Sequence, residues 1–397
     1  MKDLAHYMRA GTLQLAALPP LSLYVHLPWC LRKCPYCDFN SHEIAQAPQQ
    51  DYIDALVADL DAALPLIWGR SVHSVFIGGG TPSLFEPAAI DQLLGALRAR
   101  LRLDADAEIT LEANPGTFEK DRFRAFRRAG VTRLSLGVQS FDDQALQALG
   151  RVHDRAQALA AAAEAAQCFE TFNLDLMYAL PGQDMAGLDA DIAQALALKP
   201  PHLSIYHLTL EPNTYFAKFP PALPEEDLAY AMLDRISECT AQQGLERYEV
   251  SAYARDGHRC WHNLNYWRFG DYLGIGAGAH SKLSFAHRIV RQVRVREPRL
   301  YMERALQGQA LAQEQEVGRS DLAFEFMLNA LRLPEGFAPQ DFTERTGLPL
   351  SLIEGALAQA RSRGWLQGDP THIRPTVRGF DFLNDLQALF LPDTHAS

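Results

Sequence analysis

Three cysteines crowd into eight positions: Cys30, Cys34 and Cys37 form a CxxxCxxC segment within YVHLPWCLRKCPYCDF. Thiolates are the usual ligands of iron–sulfur clusters, and a cubane cluster ordinarily takes four. A loop that supplies only three leaves one iron open. Metal sites that do chemistry keep a position free in the same way. A structural zinc site is the other chemistry of clustered thiols. Zinc takes four protein ligands, typically as two separated pairs, and this spacing does not match that pattern. The remaining cysteines, Cys168, Cys239 and Cys260, are dispersed. That is not the distribution of a disulfide framework, which belongs to smaller secreted chains.

The elements that must carry this loop alternate between two patterns. Strand-like runs occur at Leu21 to Leu27, Val72 to Ile77, Glu108 to Glu112, Arg133 to Leu136, Asn173 to Tyr178 and His202 to His207. Helical segments lie between them, including Asp51 to Leu66, Pro87 to Arg100, Phe118 to Arg128, Ala156 to Gln167 and Met185 to Leu198. Alternation of this kind predicts an α/β fold with a parallel sheet. Six units fit an open, partial (β/α)6 TIM-like barrel better than a closed eight-unit one. The expected organisation is a lead-in over 1–20, the barrel over 21–212, an α+β extension over 213–317 and a winged-helix-like C-terminal domain over 318–397.

Composition narrows the class further. With 48% hydrophobic and 21% charged residues in 397, the chain reads as an ordinary globular protein. No apolar run reaches the roughly 18 residues of a membrane span. The formal net charge is −11, which argues against nucleic-acid partners. From Asp321 onward there are six basic and ten acidic residues, so a DNA-reading wing is not expected and a partner-binding or structural role is. Lys2 and Arg9 precede a short apolar stretch, but no cleavage pattern follows, and a cytoplasmic location is expected.

If the barrel is right, ligand contacts should come from the C-terminal ends of its strands. Unusual residues fall there: Gly78-Gly79-Gly80-Thr81, Glu112, Gln139, Arg151 shortly after the fourth strand, and Asp175 inside an apolar strand. Glycines let backbone approach a ligand, an arginine fork can hold a carboxylate, and a carboxylate in an apolar strand needs a partner. Each alone is more often a turn, a surface charge or a stabilising group; their recurrence at successive strand ends points to one site.

CxxxCxYC after the first strand resembles the radical S-adenosylmethionine superfamily. The longer string YVHLPWC…CPYCDF resembles its oxygen-independent coproporphyrinogen oxidase branch, over nearly the whole chain. The resemblance implies a [4Fe-4S] cluster on Cys30, Cys34 and Cys37. It also implies S-adenosylmethionine on the free iron, and an electron donor able to drive cleavage of the sulfonium to a deoxyadenosyl radical. By the same resemblance, Gly79, Gly80 and Thr81 meet the methionine amino group and Glu112 pairs with it. Arg151 holds the carboxylate, Gln139 and Asp175 hold the ribose, and Tyr24 and Tyr36 flank cluster and ligand.

Within that branch, the oxidases resemble CxxxCxxCxC; here the fourth position is Phe39, and only 29 residues precede Cys30. The segment CWHNLNYW instead resembles the HNxxYW motif of the branch's haem chaperones. Histidine is the common proximal ligand of haem iron, and aromatics stack on the macrocycle. From residue types alone His262 reads better as a hydrogen-bonded core histidine. The resemblance makes His262 the expected haem ligand, with Tyr266 and Trp267 beside the macrocycle. Arginines 288, 291, 294 and 296 read as a solvated strand face, or alternatively as partners of haem propionates. The functional expectation is a haem chaperone delivering to haem-accepting apoproteins such as respiratory haemoproteins, with transient contact at membrane respiratory proteins and a homodimer left open. No catalytic residue is assigned. The alternatives are coproporphyrinogen III decarboxylation and a zinc-stabilised docking module.

Overall fold

The computed structural model describes residues 4–117 and 121–392. Six parallel strands, β1 (Leu21–Leu27), β2 (Ser71–Gly79), β3 (Arg102–Ala113), β4 (Arg133–Gln139), β5 (Thr171–Tyr178) and β6 (His202–His207), lie side by side in chain order. Helices α1 (Gln49–Ala63), α2 (Pro87–Arg100), α3 (Arg122–Ala129), α4 (Arg155–Cys168) and α5 (Met185–Ala197) return the chain between them. The expected helix start at Phe118 lies outside the described residues. The strands read as nearly continuous apolar runs with polar residues on one face, the pattern of a parallel sheet covered on both sides. Leu23, Val25, Val75, Ile77, Leu111, Leu134, Leu174 and Leu203 are at most 1% exposed beneath the helices.

The sheet does not stop at six strands. Residues 213–317 add α6 (Glu226–Gln242), β7 (Glu246–Arg247), β8 (Ala252–Ala254), α7 (Trp261–Trp267), β9 (Asp271–Ile275), β10 (His280–Phe285), β11 (Arg288–Arg294), α8 (Pro298–Leu306) and β12 (Leu311–Glu316). The full order is β12-β11-β10-β9-β1-β2-β3-β4-β5-β6-β8-β7, one open sheet of 12 strands. Strand β9 pairs in parallel with β1, with Ser22 opposite Tyr272 and Tyr24 opposite Gly274. The α+β extension is therefore continuous with the barrel, adding a seventh parallel strand and an antiparallel wing.

The inner face of the partial barrel is polar. It carries Ser22, Tyr24 and His26 of β1, Ser74 and Phe76 of β2, Glu108 and Glu112 of β3, Arg133 and Ser135 of β4, Asn173 and Asp175 of β5, and His202 and Ser204 of β6. The spacing of two follows from the strand repeat. Helix α7 packs against β1, β2 and β9 and closes the lower end of this lumen.

A second apolar core is built from residues 317–390, with Leu13, Leu15, Phe269 and Ile289 reaching into it. It contains α9 (Arg319–Ala330), α10 (Pro339–Thr346), α11 (Glu354–Ser362) and the hairpin β13 (Leu366–Asp369) and β14 (His372–Pro375). Three helices and a two-stranded hairpin are the expected winged-helix-like arrangement.

Candidate functional site

The loop after β1 folds back between the upper strand ends. Pro35 accepts a hydrogen bond from Phe216 N at 3.0 Å, and Tyr36 packs near the Phe216 ring. Cys30, Cys34 and Cys37 are all half-buried on one side of a cavity of about 360 Å3. Thr81 Oγ1 donates to Cys30 Sγ at 3.5 Å and Arg151 Nη1 to Cys34 Sγ at 3.4 Å; Ser41 Oγ lies 3.8 Å from Cys37 Sγ. Burial pushes the Cys30 and Cys37 thiols up in pKa, so iron must displace their protons. Among the described residues no three His, Cys, Asp or Glu side chains gather on a point that one ion could occupy. A polynuclear cluster needs its sulfurs further apart than a single zinc does.

The same cavity holds two charged groups that the protein leaves incomplete. Among the described residues Glu112 accepts from Gly79 N alone, at 3.0 Å. Burial, and then the charge of Asp175, push its carboxyl up to about 7. Arg151 Nη2 donates to Gly137 O at 2.9 Å, while its buried Nε has no partner among the described residues. An amino-acid zwitterion would supply what each lacks: an ammonium for Glu112 and a carboxylate for Arg151. Asp175 Oδ1 accepts from Asn173 and Oδ2 from Ser135, at 2.7 and 3.1 Å, and both oxygens can accept further bonds from vicinal hydroxyls. Gly79 and Gly80 are required by space. A Cβ at Gly79, whose φ is +116, would lie 2.6 Å from the His26 ring, and one at Gly80 would lie 2.5 Å from Trp29 O. Gln139 lines the cavity at φ 68, a left-handed conformation at the end of β4. The donor set fits a three-thiolate cluster together with a nucleoside-bearing amino acid.

The structure thus brings together Cys30, Cys34, Cys37, Tyr36, Gly79, Gly80, Thr81, Glu112, Gln139, Arg151 and Asp175. It leaves out Tyr24, His262, Tyr266 and Trp267. Tyr24 lies deeper in the lumen, with its hydroxyl 2.9 Å from His26 Nδ1, and does not line the cavity. Asn114, Met177, Tyr206 and His207 line it without having been expected there. The strand-end rule that found Asp175 would also have found Tyr206 and His207, at the end of β6.

The structure places His262 apart from that cavity. Its ring is 1% exposed on α7, at the lumen floor. The Ser74 hydroxyl donates to Ser22 and so accepts from His262 Nδ1 at 3.1 Å, and the Tyr266 hydroxyl donates to Nε2 at 3.0 Å. Both ring nitrogens are thus engaged inside the protein, and the ring is closed off from solvent in this conformation. Burial, with the Arg133 charge second, lowers its pKa to about 3 and keeps it neutral. The backbone N of His262 donates to Glu108 Oε1 at 3.3 Å, and Glu108 faces Arg133 at 4.0 Å. Cys260 N donates to Tyr248, Tyr248 to His202, and His202 to Asn173, which orients Asp175. The motif is therefore the floor of the lumen, and Cys260 just before it is linked by these hydrogen bonds to Asp175. His262→Ala removes two buried hydrogen bonds and leaves a void. It should cost about 2–4 kcal/mol in denaturant unfolding; an unchanged midpoint and slope would refute that role.

The arginine run is also corrected. Arg294 is 2% exposed and bonds Asp59 at 2.9 Å, and Arg288 is 6% exposed and pairs with Glu316 at 3.3 Å. These are structural ion pairs rather than a solvated face. Arg291 bonds Glu325 and the Tyr272 hydroxyl, and Arg296 is exposed.

Comparison with known proteins places these features. Residues 24–195 match the Radical SAM superfamily and residues 318–382 the HemN C-terminal domain. The chain is 47% identical to the heme chaperone HemW of Escherichia coli (strain K12) over 382 residues, covering 96% of this chain and 100% of that protein. It is 31% identical to the heme chaperone HemW of Bacillus subtilis (strain 168), covering 93% and 99%. It is 36% identical to the radical S-adenosyl methionine domain-containing protein 1, mitochondrial, of Mus musculus, covering 94% and 87%. The solved structure of the Escherichia coli coproporphyrinogen III oxidase HemN superposes with a TM-score of 0.81 at 24% identity, covering 98% of this chain and 93% of that one. That likeness establishes the fold, including the partial barrel.

Proposed function

We propose a function from one premise: the chain belongs to the radical S-adenosylmethionine superfamily and, within it, to the heme chaperone HemW family. Membership of the superfamily implies a [4Fe-4S] cluster and S-adenosylmethionine. The chain's role is to bind haem and pass it to apoproteins such as respiratory haemoproteins. The observation that carries this reading is the full-length identity to proteins named heme chaperone. An electron donor for the cluster, passing contact with membrane-bound recipients and self-association belong to the same proposal, as does a cytoplasmic setting. Among the described residues no helix is long and apolar enough to cross a membrane.

The cluster, when bound, supplies an electron to the sulfonium of its ligand. The protein's own residues position and enclose. Cys30, Cys34 and Cys37 would hold three irons. Glu112 would take the ligand ammonium and Arg151 its carboxylate, while Asp175 and Gln139 would face the ribose. Arg151 also donates to Cys34, so the group that holds the carboxylate steadies a cluster thiolate as well. The polar floor beneath Asp175 fixes its carboxylate before any ligand arrives.

The oxidase alternative needs a porphyrinogen beside the nucleoside. A cavity of about 360 Å3 is at the small end for one drug-sized ligand, and Phe39 stands where the oxidases resemble a fourth cysteine. One sample distinguishes the readings: anaerobically reconstituted protein titrated with haem and also assayed with coproporphyrinogen III, S-adenosylmethionine and reductant. Haem uptake without protoporphyrinogen IX is expected; formation of that product would overturn the chaperone reading. Iron and sulfide in the purified protein, rather than zinc alone, exclude the docking module.

A further inference from the structure

Each cysteine of the cluster loop is held by a different part of the fold. Cys30 stays beside the top of β2: Ile44 N donates to Cys30 O at 3.0 Å and Thr81 N to Trp29 O at 2.7 Å, in addition to the Thr81 hydroxyl on its sulfur. Cys34 is held from beyond β4 and β6, by Arg151 on its sulfur and by Phe216 N on the Pro35 carbonyl. Cys37 is reached through Asn40, three residues on, and Asn40 is anchored in the α+β extension.

Asn40 uses its hydrogen-bonding groups on every side. Its Nδ2 donates both hydrogens to backbone carbonyls from far along the chain, Ala277 O at 2.9 Å and Arg296 O at 2.8 Å. Its Oδ1 lies 3.3 Å from His42 Nε2, and its own carbonyl accepts from His26 Nε2 at 2.9 Å. With Nε2 as the donor, His26 Nδ1 accepts from the Tyr24 hydroxyl at 2.9 Å. Burial lowers the His26 pKa to about 4, so the ring stays neutral and keeps this tautomer. The glycines between β9 and β10 are shaped for these contacts. A Cβ on Gly278, at φ +76, would lie 2.6 Å from Asn40 Nδ2, and one on Gly276, at φ +106, would lie 2.4 Å from His26 O. Tyr52 closes the join, donating to His26 O at 2.9 Å and accepting from Ala277 N at 2.8 Å.

We propose that Asn40 is a positioning residue for S-adenosylmethionine. By tying the return leg of the cysteine loop to the turn at Ala277, it sets where Cys37, and through it the open iron, lies relative to Glu112 and Arg151. This rests on the cluster and nucleoside reading above and adds a residue to it. Three residues span at most about 10 Å of chain, so fixing Asn40 confines Cys37. The ligand has to satisfy the iron, Glu112 and Arg151 at once, and a displaced sulfur is felt as lost affinity. The role is polar rather than space-filling. Aspartate has the shape of asparagine but no N–H, and it would set a carboxylate oxygen against two carbonyl oxygens.

The test compares Asn40→Ala and the isosteric Asn40→Asp in full-length, anaerobically reconstituted protein. Both should retain the wild-type iron and sulfide, because all three thiolates remain. Their affinity for S-adenosylmethionine, by equilibrium dialysis, should fall by about tenfold or more, with Asn40→Asp the weaker binder. The paramagnetic resonance spectrum of the reduced cluster should change on ligand addition in the wild type and change less in both variants. In the metal-free protein, amide exchange across residues 37–44 should quicken while that of β1 stays as it was. Wild-type affinity and spectral change in either variant would overturn the proposal; in Asn40→Asp alone they would mean that Asn40 only fills space. Loss of the cluster in both variants would overturn it too, by making Asn40 a requirement for the metal rather than for its ligand. Wild-type protein that takes up no iron and sulfide would instead overturn the cluster reading itself.

Discussion

Cys34→Ala should leave a folded protein that retains less than about a tenth of the wild-type iron and sulfide after anaerobic reconstitution. Two thiolates cannot hold a cubane that already lacks a fourth. The same change removes the sulfur to which Arg151 Nη1 donates, so S-adenosylmethionine binding should fall with the cluster. Because the cysteine loop is half-buried and lies outside the main apolar cores, the melting temperature of the apoprotein should move little. Cys168→Ala is the control: Cys168 ends α4, away from the cavity. Broad visible absorbance and iron analysis give the readout. A full cluster in Cys34→Ala would refute the assignment.

Glu112→Gln should separate binding from stability. The Glu112 carboxyl titrates near 7 because burial and Asp175 oppose its charge. Its folded pKa is raised, so its contribution to stability is fully present below the unfolded pKa and is lost as pH rises through about 7. Above that, the wild type holds an unpaired buried carboxylate, and the amide does not. At pH 8 the variant should be the more stable, by up to about 3 kcal/mol, while near pH 4 the two should unfold alike. An ammonium from the ligand favours the ionised carboxylate. Wild-type affinity for S-adenosylmethionine should therefore strengthen as pH rises from 6 to 8, and the variant should lose that dependence along with most of its affinity. Equilibrium dialysis and denaturant titration across this range check both. Equal stabilities at pH 8 would remove the claim that the site stores strain for its ligand, a trade common at functional sites.

Much of this was readable from residues because it is local or periodic. The six strands follow from short apolar runs, and Pro87–Arg100 and His202–His207 were bounded correctly from pattern alone. The cysteine spacing and the polar residues at strand ends pointed to one cavity because a parallel sheet brings its upper ends together. What escaped depends on distant partners. Arg294 pairs with Asp59 across 235 positions, and nothing near Arg294 signals it. His262 sits two residues after Cys260 at the start of a seven-residue helix, and its surroundings come from β1, β2 and β3. Resemblance identified the motif; only packing shows that its histidine faces inward and that the Tyr266 hydroxyl bonds to it. Strand β9 was missed because Asp271–Ile275 is short and its pairing partner, β1, lies some 250 positions earlier.

The sheet never closes on itself, and that leaves two unpaired borders capable of recruiting a stranger's backbone. One is made harmless by brevity: β7 offers only Glu246 and Arg247. The other, Leu-Ala-Gln-Glu-Gln-Glu along β12, carries glutamates at alternate positions, one of them exposed at the outer end. Two such borders brought together would face carboxylate to carboxylate. Brevity at one border and charge at the other thereby keep an incomplete cylinder from templating fibres.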